Sequence, residues 1–417
     1  MAQNARRSGR KCPIDDELGR HAVRALALAV AVRAGVPVLL WGAPGTGKTR
    51  TVEALARRMG LPCETVVAAI REPSDFAGLP VPGESLEIDG RRVRQTDLAP
   101  PAWAVRLAAA GRGVLFLDEI SAAPPAVQVA LLRVVLERTV GDLRLPDGVR
   151  VVAAANPADA ADGLWELGPA LSNRFVHIPW EPDLAQWRSG MVAGWTEPPP
   201  VELDGAALRD ETAAARAEIA AFVGVRRELL LRQPRADDQA AAAWPSPRTW
   251  EMAARLLGAA AAARTGDGQE LPGEVAELLL AGAVGEAAAV EFLAWRRALD
   301  VPDPELLLRD PSRYVPPRHG DQVYVLLMGV VDAVRRRLTA GRWRAAWSIV
   351  ERTVRLGHGD LAVLAGRMLR QVAREAGRAD DRRFAVPEAA LAAVEDAGLL
   401  DGQASALEEI AGGGTVH

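Results

Sequence analysis

The chain has 417 residues, 49% of them apolar and 25% charged, with a formal net charge of -4. That profile is of a soluble globular protein long enough for two or three domains with their own cores, and it gives no general electrostatic reason to bind nucleic acid or an anionic membrane. Cys12 and Cys63 have no metal-ligand spacing and cannot build a disulfide framework, so a reducing compartment is expected.

The first residues, MAQNARRSGRKCPIDDE, are polar, carry no signal-peptide core and read as a lead-in over 1–17. A helical pattern rich in Ala, Leu and Val follows from Leu18 to Ala34. Arg24 and Arg33 interrupt its most apolar part, which is too short to span a bilayer, so a cytoplasmic protein without a membrane segment is expected.

Val36–Leu40 is an apolar run of the kind a buried parallel strand shows. Gly42, Ala43, Pro44, Gly45, Thr46, Gly47, Lys48 and Thr49 then satisfy G-x-x-x-x-G-K-[ST] at every fixed position, and a helical period with Val52, Leu55 and Ala56 on one face follows. Glycines let successive backbone N–H groups curl around a polyphosphate, and the helix N-terminus adds positive potential. Lys48 reaches the β- and γ-phosphates and the Thr49 hydroxyl is placed to ligate Mg²⁺, so the segment is read as a nucleoside-triphosphate site.

Further along, 62–70 reads as a strand, 71–80 as a loop, and 85–94 as a polar hairpin closed by Asp89-Gly90 that stands out from the core. A helix over 100–110 leads into the apolar strand 113–119, an amphipathic helix spans 124–138, a second hairpin starts at 139–145, and an apolar strand over 149–155 ends at Asn156-Pro157. Apolar strands alternating with helices predict a parallel sheet covered on both faces. After Trp195 the strand signal nearly vanishes. Helices are expected at 205–230, 247–264, 272–284 and 286–298, then, past a proline-rich break at 310–319, at 321–338, 342–356, 360–377 and 387–398, with a disordered tail at 411–417.

Asp118 and Glu119 end an apolar strand 70 residues after Lys48, at the strand end where P-loop folds place ligands. Asp118 would hold Mg²⁺, directly or through water, and Glu119 would polarise the attacking water. Asn156 ends the next strand, where an amide can orient the same water; Asn before Pro is also ordinary turn chemistry. Arg174, in GPALSNRF before a last strand, can neutralise phosphate charge across a subunit interface.

These residues resemble the AAA+ ATPases, and more narrowly the MoxR-like branch, through GAPGTGKT at 42–49, REPSDFAGLP at 71–80, VLFLDE at 114–119, ALLRVVLERTVGD at 130–142, AAANP at 153–157 and ALSNRF at 170–175. The resemblance implies an αβα ATPase core over 18–195, an all-α lid over 196–309 and a further helical region over 320–410. It makes Asn156 sensor 1, Arg174 an arginine finger given to a neighbour, and Arg248, in WPSPRTW, the sensor 2 arginine contacting nucleotide from its own subunit's lid. The two hairpins correspond to the helix-2 insert at 81–97 and the pre-sensor-1 insert at 139–150. It further implies ATP and Mg²⁺ as ligands, a hexameric ring, and chaperone-like remodelling or metal or cofactor insertion, often with a von Willebrand factor A-domain partner. The substrate protein stays open.

The five histidines are scattered and form neither a metal site nor a triad, and the eleven tryptophans read as core and interface anchors. Residues 321–380 hold 11 basic and 6 acidic side chains, a net of +5, read as solvated helix faces. Two rivals remain: a nucleic-acid-dependent AAA+ motor, since helicase relatives share the hairpin inserts, and a nucleotide-gated switch that barely turns over. Overall acidity argues against the first, and the intact Glu119 and Arg174 against the second.

Overall fold

The structure, a computed structural model, describes residues 13–157, 167–195, 197–234, 243–299, 301–317 and 319–396. The expected lead-in up to residue 12, with Cys12, and the expected tail at 411–417 lie outside the described residues. The chain forms two compact units, one of residues up to Leu208 together with Leu231–Val290, the other of Arg209–Leu230 together with the chain from Glu291.

In the first unit, helix α1 (Pro13–Ala34) starts earlier than the apolar pattern predicts, with Pro13 at a first position where its missing N–H costs nothing. Strand β1 (Val38–Trp41), helix α2 (Lys48–Arg58) and strand β2 (Cys63–Val67) follow. The strand read over 62–70 is shorter, because Ala68–Ile70 turns into a single 3-10 turn. Next come α3 (Ser74–Ala77), the antiparallel pair β3 (Leu79–Ile88) and β4 (Arg91–Ala99), and α4 (Ala102–Ala110). Strand β5 (Arg112–Asp118), α5 (Pro125–Glu137), the short β6 (Thr139–Val140) and β7 (Leu143–Arg144), and β8 (Gly148–Ala155) complete the middle of the core. The chain continues through α6 (Pro169–Ser172), β9 (Val176–Pro179), α7 (Leu184–Ala193) and β10 (Val201–Leu203). After α8 (Gly205–Val225), α9 (Pro247–Ala262), β11 (Ala263–Thr265), α10 (Gly273–Val284) and α11 (Glu286–Ala298) follow.

Five strands form one parallel sheet in the order β2-β5-β8-β1-β9. Alternation along the strands sends Leu39, Leu115, Leu117, Val151 and Ala153 to one face, where Phe76, Trp103, Leu107, Leu131 and Val134 from α3, α4 and α5 bury them. The intervening Val38, Leu40, Val114, Phe116, Val152 and Ala154 are equally buried on the other face, against α1, α2 and α10. Burial on both faces is why these strands read as unbroken apolar runs.

The first hairpin is much longer than the 85–94 segment expected, pairing from Leu79↔Ala99 to Ile88↔Arg91. Pro80 and Pro82 concealed its first strand, but a two-stranded ribbon has edges that need no N–H at those positions. Asp89 (φ 52°) and Gly90 (φ 73°) close it in the left-handed pair of a type I′ turn. Leu86, Ile88 and Val93 share one face and Glu87 and Arg92 the other, all exposed, so the ribbon does stand clear of the core. Helix α7 and the antiparallel pair β10–β11 were not anticipated from the sequence. Three-residue strands carry too few alternations to show a period.

Among its described residues the second unit contains helices and no strand. Besides its parts of α8 and α11 it holds α12 (Pro304–Arg309), α13 (Gly320–Arg336), α14 (Ala340–Arg355), α15 (Gly359–Glu375) and α16 (Glu388–Asp396). Trp343, Trp347, Phe384, Val323, Leu326 and Leu369 anchor its core, and the buried Tyr314 and Thr353 hydroxyls satisfy each other at 2.6 Å. A second cluster joins Phe222, Phe292 and Trp295 at ring separations of 5.3–5.9 Å. These tryptophans are core anchors, as their sequence context suggested.

Candidate functional site: the carboxyl ends of the central strands

Strands β5, β8 and β1 are neighbours and parallel, so the residues that follow them emerge side by side: Asp118 at the end of β5, Asn156 after β8 and Gly42 after β1. The Gly42 amide still donates to Ala155 O, 3.2 Å away, before the chain leaves the sheet. Gly42 is a steric requirement. A Cβ there would lie 2.1 Å from Trp180 O, on the chain just past β9. Gly47, at φ 85°, makes the left-handed turn that starts α2, a conformation costing an L side chain about 1–2 kcal/mol.

The loop's own carbonyls and Asn156 hold its lysine in place. Lys48 is 7% exposed, and its Nζ donates to Gly42 O (2.5 Å), Ala43 O (3.0 Å) and Asn156 Oδ1 (3.0 Å). Burial lowers its pKa, while the Asp118 and Glu119 carboxylates act in the opposite direction and favour the cation. Thr49 Oγ1 donates to Asp118 Oδ2 at 2.8 Å. A hydroxyl and a carboxylate meeting at the mouth of a phosphate loop are the hard oxygen donors Mg²⁺ prefers, so the residues present fit the ion.

Glu119 leaves β5 in a left-handed conformation (φ 55°), its own amide donating to Asp118 Oδ1 at 3.0 Å, and its side chain is exposed beside the loop. Non-glycine residues seldom adopt this conformation, and here it turns the carboxylate out of the strand direction. Ser121, 4% exposed, was not singled out in the sequence. Its Oγ accepts from Asn156 N at 3.1 Å and faces Asn156 O at 3.4 Å, tying the turn after Glu119 to the end of β8. Gln128 adds a second tie, donating to Ala123 O and accepting from Gly168 N. A small hydroxyl in a loop carries no periodic signal, so only the fold reveals Ser121.

Trp41 and His177 fasten β1 to β9. Trp41 Nε1 donates to His177 Nδ1 at 2.9 Å, which leaves His177 Nε2 to donate to Ser172 O at 3.0 Å. Burial pushes the imidazole pKa down to about 4, so it stays neutral. Among the described residues no group of His, Cys, Asp and Glu could hold a metal through those side chains alone.

Arg174 and Arg248 lie apart from this cluster and close to each other. The register Val38↔Val176 puts Arg174 at the amino end of β9, while the phosphate loop follows Trp41 at the carboxyl end. About 10 Å of strand lies between them. Arg174 Nη1 donates to Ala170 O, its buried Nε has no partner among the described residues, and burial followed by the charge of Arg248 lowers its pKa. Arg248 is placed there by an N-terminal capping box on α9. Ser246 accepts from Thr249 N (3.2 Å), Thr249 Oγ1 accepts from Ser246 N (2.8 Å), and Asn173 Nδ2 donates to Ser246 Oγ (3.3 Å). Among the described residues neither arginine has a carboxylate partner or a bond to residues 42–49.

Strand, phosphate loop, helix, and a second strand ending in Asp118-Glu119 beside the loop are the elements of a P-loop nucleotide-binding site. More particularly, residues 37–175 match the family model described as an AAA domain of the dynein-related subfamily. The chain is 32% identical over 143 residues to the chaperone MoxR1 of Mycobacterium tuberculosis, covering 33% of this chain and 34% of that one. It is 31% identical over 172 residues to the denitrification regulatory protein NirQ of Pseudomonas aeruginosa, covering 39% and 62%. The chain thus spans less than two thirds of either relative. Among solved structures, a putative ATPase from Cytophaga hutchinsonii matches at 17% identity with a TM-score of 0.36, over 66% of this chain and 85% of that one. The family model spans the segments 42–49, 114–119 and 153–157, from which the family resemblance was read.

Proposed function

We propose that the protein is an ATP-hydrolysing remodelling ATPase of the MoxR type, working as a hexameric ring on a protein complex. The observation that carries this reading is the joint placement of Lys48, Thr49, Asp118, Glu119 and Asn156 at the carboxyl ends of three adjacent strands. Lys48 and the loop amides bind the triphosphate, and Mg²⁺ held by Thr49 and Asp118 would neutralise its charge. Glu119 orients and polarises the attacking water, and Asn156, anchored by Ser121, aligns it with the γ-phosphate. Asp118 and Glu119 thereby divide the carboxylate work between metal and water.

The paired Arg174 and Arg248 supply the second half of the site. Two cations without a carboxylate partner among the described residues, at the strand end away from their own phosphate loop, suit an anion presented by a neighbouring subunit. Both arginines then act across the interface, Arg248 from the helical lid segment. Chaperone-like work on a protein target is supported by the likeness to the chaperone MoxR1. Metal or cofactor insertion, the von Willebrand factor A-domain partner and the cytoplasmic setting rest on the family resemblance. No helix of the described residues is long and apolar enough to cross a membrane.

Magnesium-dependent ATPase activity measured against protein concentration tests the proposal. Specific activity should rise as rings assemble, and single-stranded DNA should not stimulate it. Activity independent of concentration would remove the ring, and steep, salt-sensitive stimulation by DNA would favour a nucleic-acid motor instead.

A further inference from the structure

Helix α7 carries a glycine, Gly190, in its interior, where glycine costs roughly 1 kcal/mol relative to alanine. The missing Cβ makes room for Trp195, since an added methyl group would lie 2.6 Å from the indole ring. The seated indole faces Arg50, whose Cζ lies 5.4 Å from the ring centroid, within cation–π range. Arg50 follows Thr49 in the first turn of α2 and is exposed, and its side chain has no hydrogen bond or ion pair with another described residue. Two residues beyond Trp195, the Glu197 carboxylate accepts from Arg58 Nη1 at 3.0 Å. The chain at Trp195 and Glu197 is therefore fastened to both ends of the phosphate-loop helix.

A triphosphate in the loop has its terminal phosphates at Lys48 and its α-phosphate against the first amides of α2, so the nucleoside extends past them toward Arg50. We propose that Arg50 and Trp195 form the platform on which the nucleotide base stacks, with the planar guanidinium between indole and base. This rests on residues 42–49 being the nucleotide site. Such a platform reads the flat face that every base has. It separates nucleotides from bare polyphosphate and leaves the choice among bases to other groups. A lysine at position 50 would keep the charge and lose the plane.

The test compares equilibrium binding of Mg-ADP and Mg-tripolyphosphate to the full chain, in wild type, Trp195→Ala and Arg50→Lys. Both variants preserve net charge, so phosphate affinity has no electrostatic reason to change. Tripolyphosphate affinity should stay within about twofold while ADP weakens about tenfold or more, and Trp195→Phe should hold ADP within about threefold. Unchanged ADP binding in Trp195→Ala and Arg50→Lys overturns the platform, as does an equal loss of both ligands in Arg50→Lys. Wild-type protein that binds neither ligand overturns the nucleotide reading itself, a result distinct from either.

Discussion

Lys48 and Asn156, 108 residues apart, meet at 3.0 Å between Nζ and Oδ1 under the phosphate loop. With Gly42 O and Ala43 O, the amide gives the ammonium three acceptors for its three protons. A phosphate that engages Lys48 competes with these acceptors, and an amide released from Lys48 is free to take a water or a phosphate oxygen. Ligand arrival is thus coupled to the residue read as the water-aligning group.

Asn156→Ala should therefore leave ATP affinity within a few-fold and lower kcat by about a hundredfold, the range for loss of one polar group at a reacting centre. Ser121→Ala should lower kcat in the same direction by a smaller factor, about threefold to tenfold, since the hydrogen bonds from Ser121 Oγ that hold the Asn156 backbone in place are lost. Steady-state kinetics with a direct binding assay separate the two parameters. A change confined to KM in both variants would assign the pair to nucleotide binding alone.

Glu119→Gln should bind ATP as wild type does and turn over at least about a hundredfold more slowly, because the amide keeps the shape and loses the basic oxygen. Lys48→Ala should lose binding itself. Nucleotide titration beside an ATPase assay distinguishes them, and wild-type turnover by the Glu119→Gln protein would rule out its assigned role.

Mixing inactive variants decides which subunit the arginines serve. Arg174→Ala retains its own phosphate loop, and Lys48→Ala retains an intact Arg174 to give, so mixed rings should recover activity that neither shows alone. Arg248→Ala mixed with Lys48→Ala should recover as well, given that Arg248 lies beside Arg174. Recovery for Arg174 with none for Arg248, in rings that co-assemble, would return Arg248 to its own subunit's site.

His177 should make stability fall with acid. Its folded pKa of about 4 lies below the ordinary 6.5, so the unfolded chain takes up a proton first as pH drops. The stabilisation is complete above about pH 6.5 and declines toward pH 4, by roughly 3 kcal/mol in total. Denaturant midpoints for wild type and His177→Gln at pH 7.5 and 5 should show the wild type losing more. Equal losses would mean that the imidazole charges in the folded protein.

The phosphate loop, its flanking strand and helix, and the Asp118-Glu119 pair were legible in the sequence because each is a local pattern with chemistry confined to one short segment. Asn156 was legible only as a strand end, and its bond to Lys48 required β8 to lie next to β1, a choice of strand order that no local segment encodes. The same limit hid Ser121, Trp195 and the seat that Gly190 makes for it. It also hid the meeting of Arg174 with Arg248, which depends on a capping serine of α9 reaching Asn173 across 73 residues. Local propensity and hydrophobic period act over a few residues, so the sequence by itself determined the elements and the phosphate chemistry. Strand order and helix docking are won by burial summed over the whole core, so only the tertiary structure decided which of the candidate residues share a site.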